Sequence, residues 1–189
     1  GAFVTLADGR LMYAYTRFYG RNENDYGKAT IVARYSADGG RTWSTDDRRL
    51  VPNEGRMNVM SVSLLRLQDG RISLFYLCKN SIRDCLPYMR LSDDEGETWG
   101  APVLCVHSPG YFVVNNDRVV QLRSGRLIIP AAFHRTCSFD GTPQGEQHDP
   151  RALTMFFYSD DGGCTWHESD DWWSLPMRTN SGLQEPGVV

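Results

Sequence analysis

Short apolar runs alternate with polar turns along the whole chain, and no window shows a persuasive helical period. A tight turn containing glycine follows an apolar run three times, at Asp8-Gly9, Asp69-Gly70 and Ser124-Gly125. Such dipeptides suit a hairpin whose two central residues take positive φ. The flanking runs, such as SVSLLRL before and ISLFYL after the second turn, have the length of strands. The pattern therefore predicts an all-β protein assembled from hairpins.

A second kind of turn, S-x-D-x-G-x-T-W, occurs in three copies, each behind another apolar run. Its Ser and Asp side chains can hydrogen-bond backbone amides within the turn, and its Trp can cover the turn from the apolar side. The defining residues are Ser36, Asp38, Gly40 and Trp43; Ser92, Asp94, Gly96 and Trp99; and Ser159, Asp161, Gly163 and Trp166. We interpret this turn as structural, because it does not match the spacing of acidic residues in a calcium loop.

The two turns alternate, so that one repeating unit holds four short strands. Four-stranded units repeated around an axis are the blades of a β-propeller. We expect three blades at approximately residues 1–50, 55–106 and 113–173, and the first strand of a further blade at residues 183–189.

Composition excludes several classes of partner. The net charge of −3 provides no basic excess, so we expect no nucleic-acid partner. No apolar run is long enough for a membrane helix, so we expect no membrane partner. The sequence predicts no cofactor and leaves the cellular location open.

The cysteines and histidines give no metal motif. The five cysteines are irregularly spaced and include no CxxC pair, so we expect free, mostly buried thiols, with a bridge between Cys78 and Cys85 as the alternative. His134, Cys137 and His148 match no standard metal spacing, and we interpret them as solvated loop residues.

The threefold S-x-D-x-G-x-T-W turn resembles the Asp-box of sialidases (neuraminidases), as does its place between the third and fourth strands of a blade. The resemblance covers essentially the whole chain and implies a six-bladed propeller, of which these residues hold about half. Asp-boxes also occur in non-catalytic propellers and in other glycosidases, so they indicate a fold and not an activity.

Following the chain through one blade places both repeated turns on one face. The remaining connections share the opposite face, are longer and more polar, and are therefore where we expect the functional site. These connections are residues 17–29, 51–60, 79–87, 107–117, 133–151 and 171–186.

Two carboxylates on this face match sialidase positions. The resemblance implies that Asp25 is the catalytic acid/base and that Glu185 pairs with a tyrosine nucleophile. A neighbouring carboxylate makes chemical sense, because a phenol attacks poorly unless its proton is accepted. The alternatives without a catalytic role are that Asp25 only stabilises a turn and that Glu185 is only solvated.

Four further residues are candidates for substrate binding. Asn58 stands where sialidases use an Asp, and Asn115, Asn116 and Asp117 open the third blade beside it. The resemblance also implies three substrate-binding arginines and the tyrosine nucleophile, whose matching places lie outside these residues.

The resemblance thus implies an exo-α-sialidase that removes terminal sialic acid from glycans with retention, and we expect residues 1–189 alone to be inactive. The alternatives are a non-catalytic Asp-box propeller that binds glycan or protein, and a glycosidase for another sugar on the same scaffold.

Overall fold

The computed structural model describes residues 1–21, 24–138, 140–177 and 179–189. Within these ranges the chain forms β-strands and one short 3-10 turn, Pro143–Gly145, and no α-helix is present. The same ranges contain no helix that is long and apolar enough to cross a membrane. The all-β class predicted from the alternating pattern is confirmed.

The first sheet is an antiparallel meander in which each strand pairs with the next. Its strands are β1 (Ala2–Thr5), β2 (Leu11–Tyr19), β3 (Lys28–Ser36) and β4 (Arg48–Val51).

The second sheet repeats this meander. Its strands are β5 (Asn58–Arg66), β6 (Ile72–Ser81), β7 (Asp84–Ser92) and β8 (Val103–Leu104). The register between β5 and β6 shifts between Met60 and Ser63, where Ser61 takes a φ of 57°. An irregularity of this kind re-aims side chains, and here it lies at the edge of the candidate site.

The third sheet begins with two short strands in place of one. These are β9 (Tyr111–Val113) and β10 (Val120–Gln121), which both pair with β11 (Leu127–His134). A small hairpin of β12 (Thr136–Ser138) and β13 (Glu146–His148) then projects before β14 (Leu153–Ser159) and β15 (His167–Trp173) complete the sheet. A parallel bridge between Cys85 and Tyr111 joins the second sheet to the third.

The second sheet lies between the other two, with an apolar core on each face. Alternate residues of β6 explain this arrangement: Leu74 and Tyr76 belong to the core shared with the first sheet, whereas Phe75 and Leu77 belong to the core shared with the third. A strand buried on both faces reads as a continuous apolar run, which is what ISLFYLC is.

The same alternation separates two cysteines. Cys78 faces the core shared with the first sheet, and Cys85 faces the core shared with the third. Because they lie on opposite faces of one sheet, they cannot form a disulfide without moving the backbone. Both are free and buried, so the alternative of a bridge is wrong.

The glycine hairpins differ in detail from the expected two-residue turn. In the first, Leu6 N donates to Arg10 O and Gly9 N donates to Leu6 O, so three residues form the loop. Gly9 takes a φ of 86°, whereas Asp8 keeps negative φ. The same bonds recur at Leu67 and Leu122. The turn is therefore of the three-residue type with glycine at the left-handed position.

Two connections also differ from the sequence-based boundaries. Residues 79–87 were expected to form a connection, but β6 runs to Ser81 and β7 begins at Asp84, which leaves a tight turn. Residues 183–189 form no strand. A first strand needs a second one to pair with, and the described chain offers none, so the strand of a further blade stays a prediction.

Each S-x-D-x-G-x-T-W turn is closed by the same hydrogen bonds. In the second copy, Gly96 N donates to Ser92 Oγ at 2.8 Å, and Thr98 donates to Asp94 through its amide and its hydroxyl. Gly96 has a φ of 81°, which a side chain would oppose. Hydrogen bonds from Thr98 and Ser92 lower the pKa of Asp94 to about 2. The hydroxyl of Ser92 and the carboxylate of Asp94 thus bond to groups within the turn, which connects the third strand of the sheet to the fourth.

Candidate functional site

A cleft of about 370 Å³ lies where the ends of strands from all three sheets meet. It opens among the connections opposite the repeated turns. Its lining comprises Asp25, Tyr26, Met60, Ser61, Lys79, Tyr111, Val113, Asn115, Asn116, Ala132, His134, His148, Gln184 and Glu185. The structure thus brings Asp25 and Glu185, which are distant in sequence, to one cleft.

Asp25 lies in a tight turn between β2 and β3. Asn24 shapes this turn, because its side-chain oxygen accepts from Tyr26 N at 2.9 Å and its carbonyl accepts from Gly27 N at 2.7 Å. Asp25 is exposed to solvent. A carboxylate on such a turn is free to meet a ligand, while its backbone is fixed.

Glu185 lies on the segment that follows β15. Leu183 N donates to Ala152 O and Ala152 N donates to Ser181 O, both at 3.0 Å, so this segment is held along the start of β14. Gln184 donates its side-chain amide to Pro150 O at 2.5 Å. Glu185 itself is exposed and has a φ of 56°, which is uncommon for a residue with a side chain. Backbone conformations of this kind recur at functional sites.

Asn58 is buried and not part of the cleft lining. Its side-chain amide donates to Asp25 O and to Gly27 O, both at 2.9 Å. It therefore supports the turn that carries Asp25. The sequence placed Asn58 among the substrate-binding candidates; its complete burial puts no part of it at the surface of the cleft.

Of the three residues expected at the start of the third blade, two line the cleft and one does not. Asn115 and Asn116 line the cleft, whereas Asp117 is exposed outside the lining. Asn116 accepts from Val62 N at 2.9 Å, and Asp117 N donates to Val62 O at 2.9 Å, so this segment is bonded to the irregularity in β5. The side-chain oxygen of Asn115 is buried and has no hydrogen-bond partner among the described residues. A ligand group that donates a hydrogen bond would satisfy it.

One side of the cleft, formed by Lys79, Tyr26 and Tyr111, was not predicted from the sequence. Lys79 is only 1% exposed, although it carries an ammonium group. Its Nζ donates to Asp25 O at 3.1 Å and lies 4.2 Å from the ring centroid of Tyr26 and 5.2 Å from that of Tyr111. Burial lowers the pKa of Lys79, while the charge of Asp25 acts in the opposite direction.

Two histidines lie beside these aromatic rings. His148 stacks on Tyr111 at a centroid distance of 5.3 Å, and burial lowers the pKa of His148. His134 is buried, and its Nδ1 lies 2.8 Å from Asp149 O. A carbonyl only accepts, so Nδ1 is the donor in this bond. The interpretation of His134 as a solvated loop residue is wrong, because it ends β11 inside the fold.

Asp149 anchors the base of the projecting hairpin. Its carboxylate, 1% exposed, accepts from Arg135 at 2.8 Å and from Arg151 at 2.7 Å. Hydrogen bonds from Arg151 are the main cause that holds the pKa of this carboxyl well below its usual range. Among the residues that the structure describes, no group of three or more His, Cys, Asp or Glu side chains could hold a metal ion.

The sequence did contain a signal for the missed lysine. Lys79 follows seven consecutive buried residues of β6 and is itself buried, in a strand with apolar cores on both faces. A charged residue that continues such a run needs a specific partner. The partner could not be named from the sequence, because Asp25 lies 54 residues earlier.

The fold and the repeated turn define an all-β Asp-box repeat protein. A family model for the BNR repeat-like domain matches residues 54–172, and a model for the BNR/Asp-box repeat matches residues 34–45. The chain belongs to the BNR repeat-like domain family, within the sialidase superfamily.

Known relatives agree with this family. The chain is 35% identical to Sialidase-3 of Rattus norvegicus over 121 residues, which are 52% of this chain and 27% of that protein. The Hadza microbial sialidase Hz136 superposes with a TM-score of 0.68 at 19% identity, over 92% of this chain and 37% of that one.

A second solved structure is Trypanosoma rangeli sialidase in complex with 2,3-difluorosialic acid, a covalent intermediate. It superposes with a TM-score of 0.62 at 19% identity, over 91% of this chain and 30% of that one. The structural likenesses show the fold. In each comparison the chain spans well under half of the relative's length.

Proposed function

We propose that this chain is part of an exo-α-sialidase that removes terminal sialic acid with retention of configuration. One observation carries the proposal: Asp25 and Glu185, the two carboxylates that match sialidase positions, line the same cleft. The sequence similarity to Sialidase-3 and the structural similarity to sialidases support sialic acid as the sugar that is removed. We further propose that the three sheets are blades of a six-bladed propeller whose remaining blades lie outside these residues.

In this mechanism Asp25 is the general acid and base. It protonates the leaving oxygen when the glycosidic bond breaks, and it then removes a proton from the water that releases the sugar. The exposed position of Asp25 on a fixed turn suits both steps, because leaving group and water must each reach its carboxylate.

Glu185 is proposed to accept the proton of a tyrosine nucleophile that lies outside this chain. Most retaining glycosidases use a second carboxylate as the nucleophile, whereas sialidases use a tyrosine. A neutral nucleophile avoids repulsion from an anionic sugar, and a carboxylate beside the phenol makes the phenol reactive. Asn115, whose buried oxygen has no partner among the described residues, and Asn116 are proposed to contact polar groups of the substrate.

The test is an Asp25→Ala variant of the full-length protein, assayed with an aryl sialoside and with sialyllactose. We expect turnover of sialyllactose to fall by about 10²–10⁴-fold, the usual contribution of general acid–base catalysis. Asp69→Asn, which changes an exposed carboxylate in the hairpin turn on the opposite face, is the control and should keep wild-type turnover.

If Asp25→Ala cleaves sialyllactose at the wild-type rate, Asp25 is not the general acid. Binding of sialyllactose without any turnover by the wild-type protein would instead favour a non-catalytic glycan-binding propeller, and turnover of a different glycoside alone would favour another sugar on the same scaffold.

A further inference from the structure

The turn that carries Asp25 presents backbone carbonyls to the second sheet. Its amides are used internally, since Tyr26 N and Gly27 N both donate to Asn24. The carbonyls of Asp25 and Gly27 therefore need donors from elsewhere.

Those donors are supplied by a cross-strand pair of the second sheet. Asn58 of β5 and Lys79 of β6 are directly opposite each other in the register of the sheet. Asn58 donates to both carbonyls, and Lys79 Nζ adds a second donor to Asp25 O at 3.1 Å. One carbonyl thus receives two side-chain donors, both from buried residues.

A buried ammonium at this place is poorly explained by stability alone. Removing a charge from water is costly unless it is well paired, and Lys79 has one carbonyl and two aromatic faces as partners. Its lowered pKa has burial as the largest cause, which agrees with an ammonium that folding disfavours. Apolar replacements of buried charges are often neutral or stabilising. A functional reason for Lys79 is therefore needed.

Although Lys79 is one of the residues that line the cleft, it is too enclosed to bind the substrate directly. It is 1% exposed, and the ring of Tyr26 lies over its ammonium group at 4.2 Å. Its effect on a ligand must pass through the residues that it contacts, which are Asp25, Tyr26 and Tyr111.

We infer that Lys79 is a positioning residue, which with Asn58 holds the backbone of Asp25 so that its carboxylate meets the leaving oxygen of the glycoside. The inference rests on the proposed function, since it assigns Lys79 to the general acid of that reaction. Misplacing a reacting group by about 1 Å can lower a rate by about 100-fold.

The experiment compares Lys79→Met with Lys28→Met in the full-length protein. Methionine keeps an extended apolar side chain without charge or donor, and Lys28 is an exposed lysine whose Nζ donates to Arg56 O at the same end of the sheets. The values of kcat/KM are measured for sialyllactose, whose leaving group needs protonation, and for a nitrophenyl sialoside, whose leaving group does not.

For Lys79→Met we expect a loss between about 10-fold and 100-fold with sialyllactose and less than about 3-fold with the nitrophenyl substrate. The loss should vanish in the Asp25→Ala background, because both residues act on one proton transfer. Lys79→Gln, which keeps an N–H donor, should recover part of the activity. Equal losses with both substrates, or full additivity with Asp25→Ala, would overturn the inference.

A second measurement does not depend on turnover. Hydrogen exchange of the amides of Tyr26 and Gly27 should be faster in Lys79→Met than in wild type and unchanged in Lys28→Met. Unchanged exchange in Lys79→Met would refute the anchoring of the turn even if the protein has no sialidase activity. Conversely, faster exchange in Lys79→Met, combined with a wild-type protein that cleaves no sialoside, would overturn the proposed function and leave the anchor established.

Discussion

Asn58 and Lys79 face each other across β5 and β6, and both donate a hydrogen bond to the backbone carbonyl of Asp25. Two polar residues at the end of a sheet that has an apolar core on each face thereby fix a turn that belongs to another sheet. The relationship connects the packing of the second sheet to the position of a candidate catalytic group.

The first prediction concerns the amide of Asn58. In Asn58→Ala, Gly27 O loses its side-chain donor, and we expect the free energy of unfolding to fall by about 1–3 kcal/mol. Asn58→Asp has a similar size but places an acceptor against two carbonyls, so it should destabilise at least as much. Urea unfolding of the full-length protein measures both, and values within about 0.5 kcal/mol of wild type would contradict the support role.

The second prediction concerns the buried hydroxyl of an Asp-box. Ser92 is buried and accepts from Gly96 N at 2.8 Å, so Ser92→Ala leaves a buried amide without its partner. We expect a loss of about 1–3 kcal/mol in the free energy of unfolding. Ser124→Ala, in the exposed hairpin turn, is the matched control and should stay within about 0.5 kcal/mol. Equal effects of the two substitutions would show that the Ser92 hydrogen bond adds nothing specific.

The third prediction concerns acid stability. Hydrogen bonds from Thr42, Thr98 and Thr165 hold the pKa values of the Asp-box carboxyls Asp38, Asp94 and Asp161 at about 2, against 3.8 for an unperturbed carboxyl. Lowered folded pKa values mean that the unfolded chain takes up protons first as the pH falls. Their contribution is therefore complete above about pH 4 and is lost between about pH 4 and pH 2.

The check is the pH dependence of the thermal midpoint. Wild-type protein should lose stability steeply between pH 4 and pH 2, and a variant with Asn at all three Asp-box positions should have a flatter profile there. Identical slopes in the two proteins would place the acid sensitivity elsewhere.

The fourth prediction separates the thiols by reactivity. Burial raises the pKa of Cys78 to about 11 and that of Cys85 to about 12, and the thiolate is the reactive form. Cys164 is exposed. We expect a thiol reagent at pH 8 to modify Cys164 in the native protein and to reach Cys78 and Cys85 only after unfolding. Peptide mass spectrometry identifies the sites, and early labelling of Cys85 would contradict the assigned burial.

The repeated turns could be predicted from the sequence because their chemistry is local. In each Asp-box, Ser, Asp, Gly and Thr bond to one another within a few residues, so spacing alone defines the structure. The all-β class followed from the same signals. The turn type of the hairpins was missed, since Asp-Gly fits both the two-residue loop and the three-residue loop.

The candidate site was predictable only in part. Asp25 and Glu185 could be named because they occupy recognisable places relative to the repeats. Lys79 could not, because the groups that bury it come from the other two sheets. The burial of His134 could not be predicted, because its backbone partner Asp149 lies 15 residues later, beyond the projecting hairpin. The two-part start of the third sheet, β9 and β10, also escaped prediction, since the segment between them bonds to Val62 of the second sheet.

The hairpin of β12 and β13 can vary in length without disturbing the sheets. It is fastened at its flanks, where Thr136 donates to Ile82 O and Glu146 pairs with Arg83, and it contributes His148 to the rim of the cleft. None of the described residues at its tip belongs to a buried core of the sheets. Exchanging that tip for a longer or shorter segment would change the shape of the cleft entrance, while leaving the sheets beneath it unaltered.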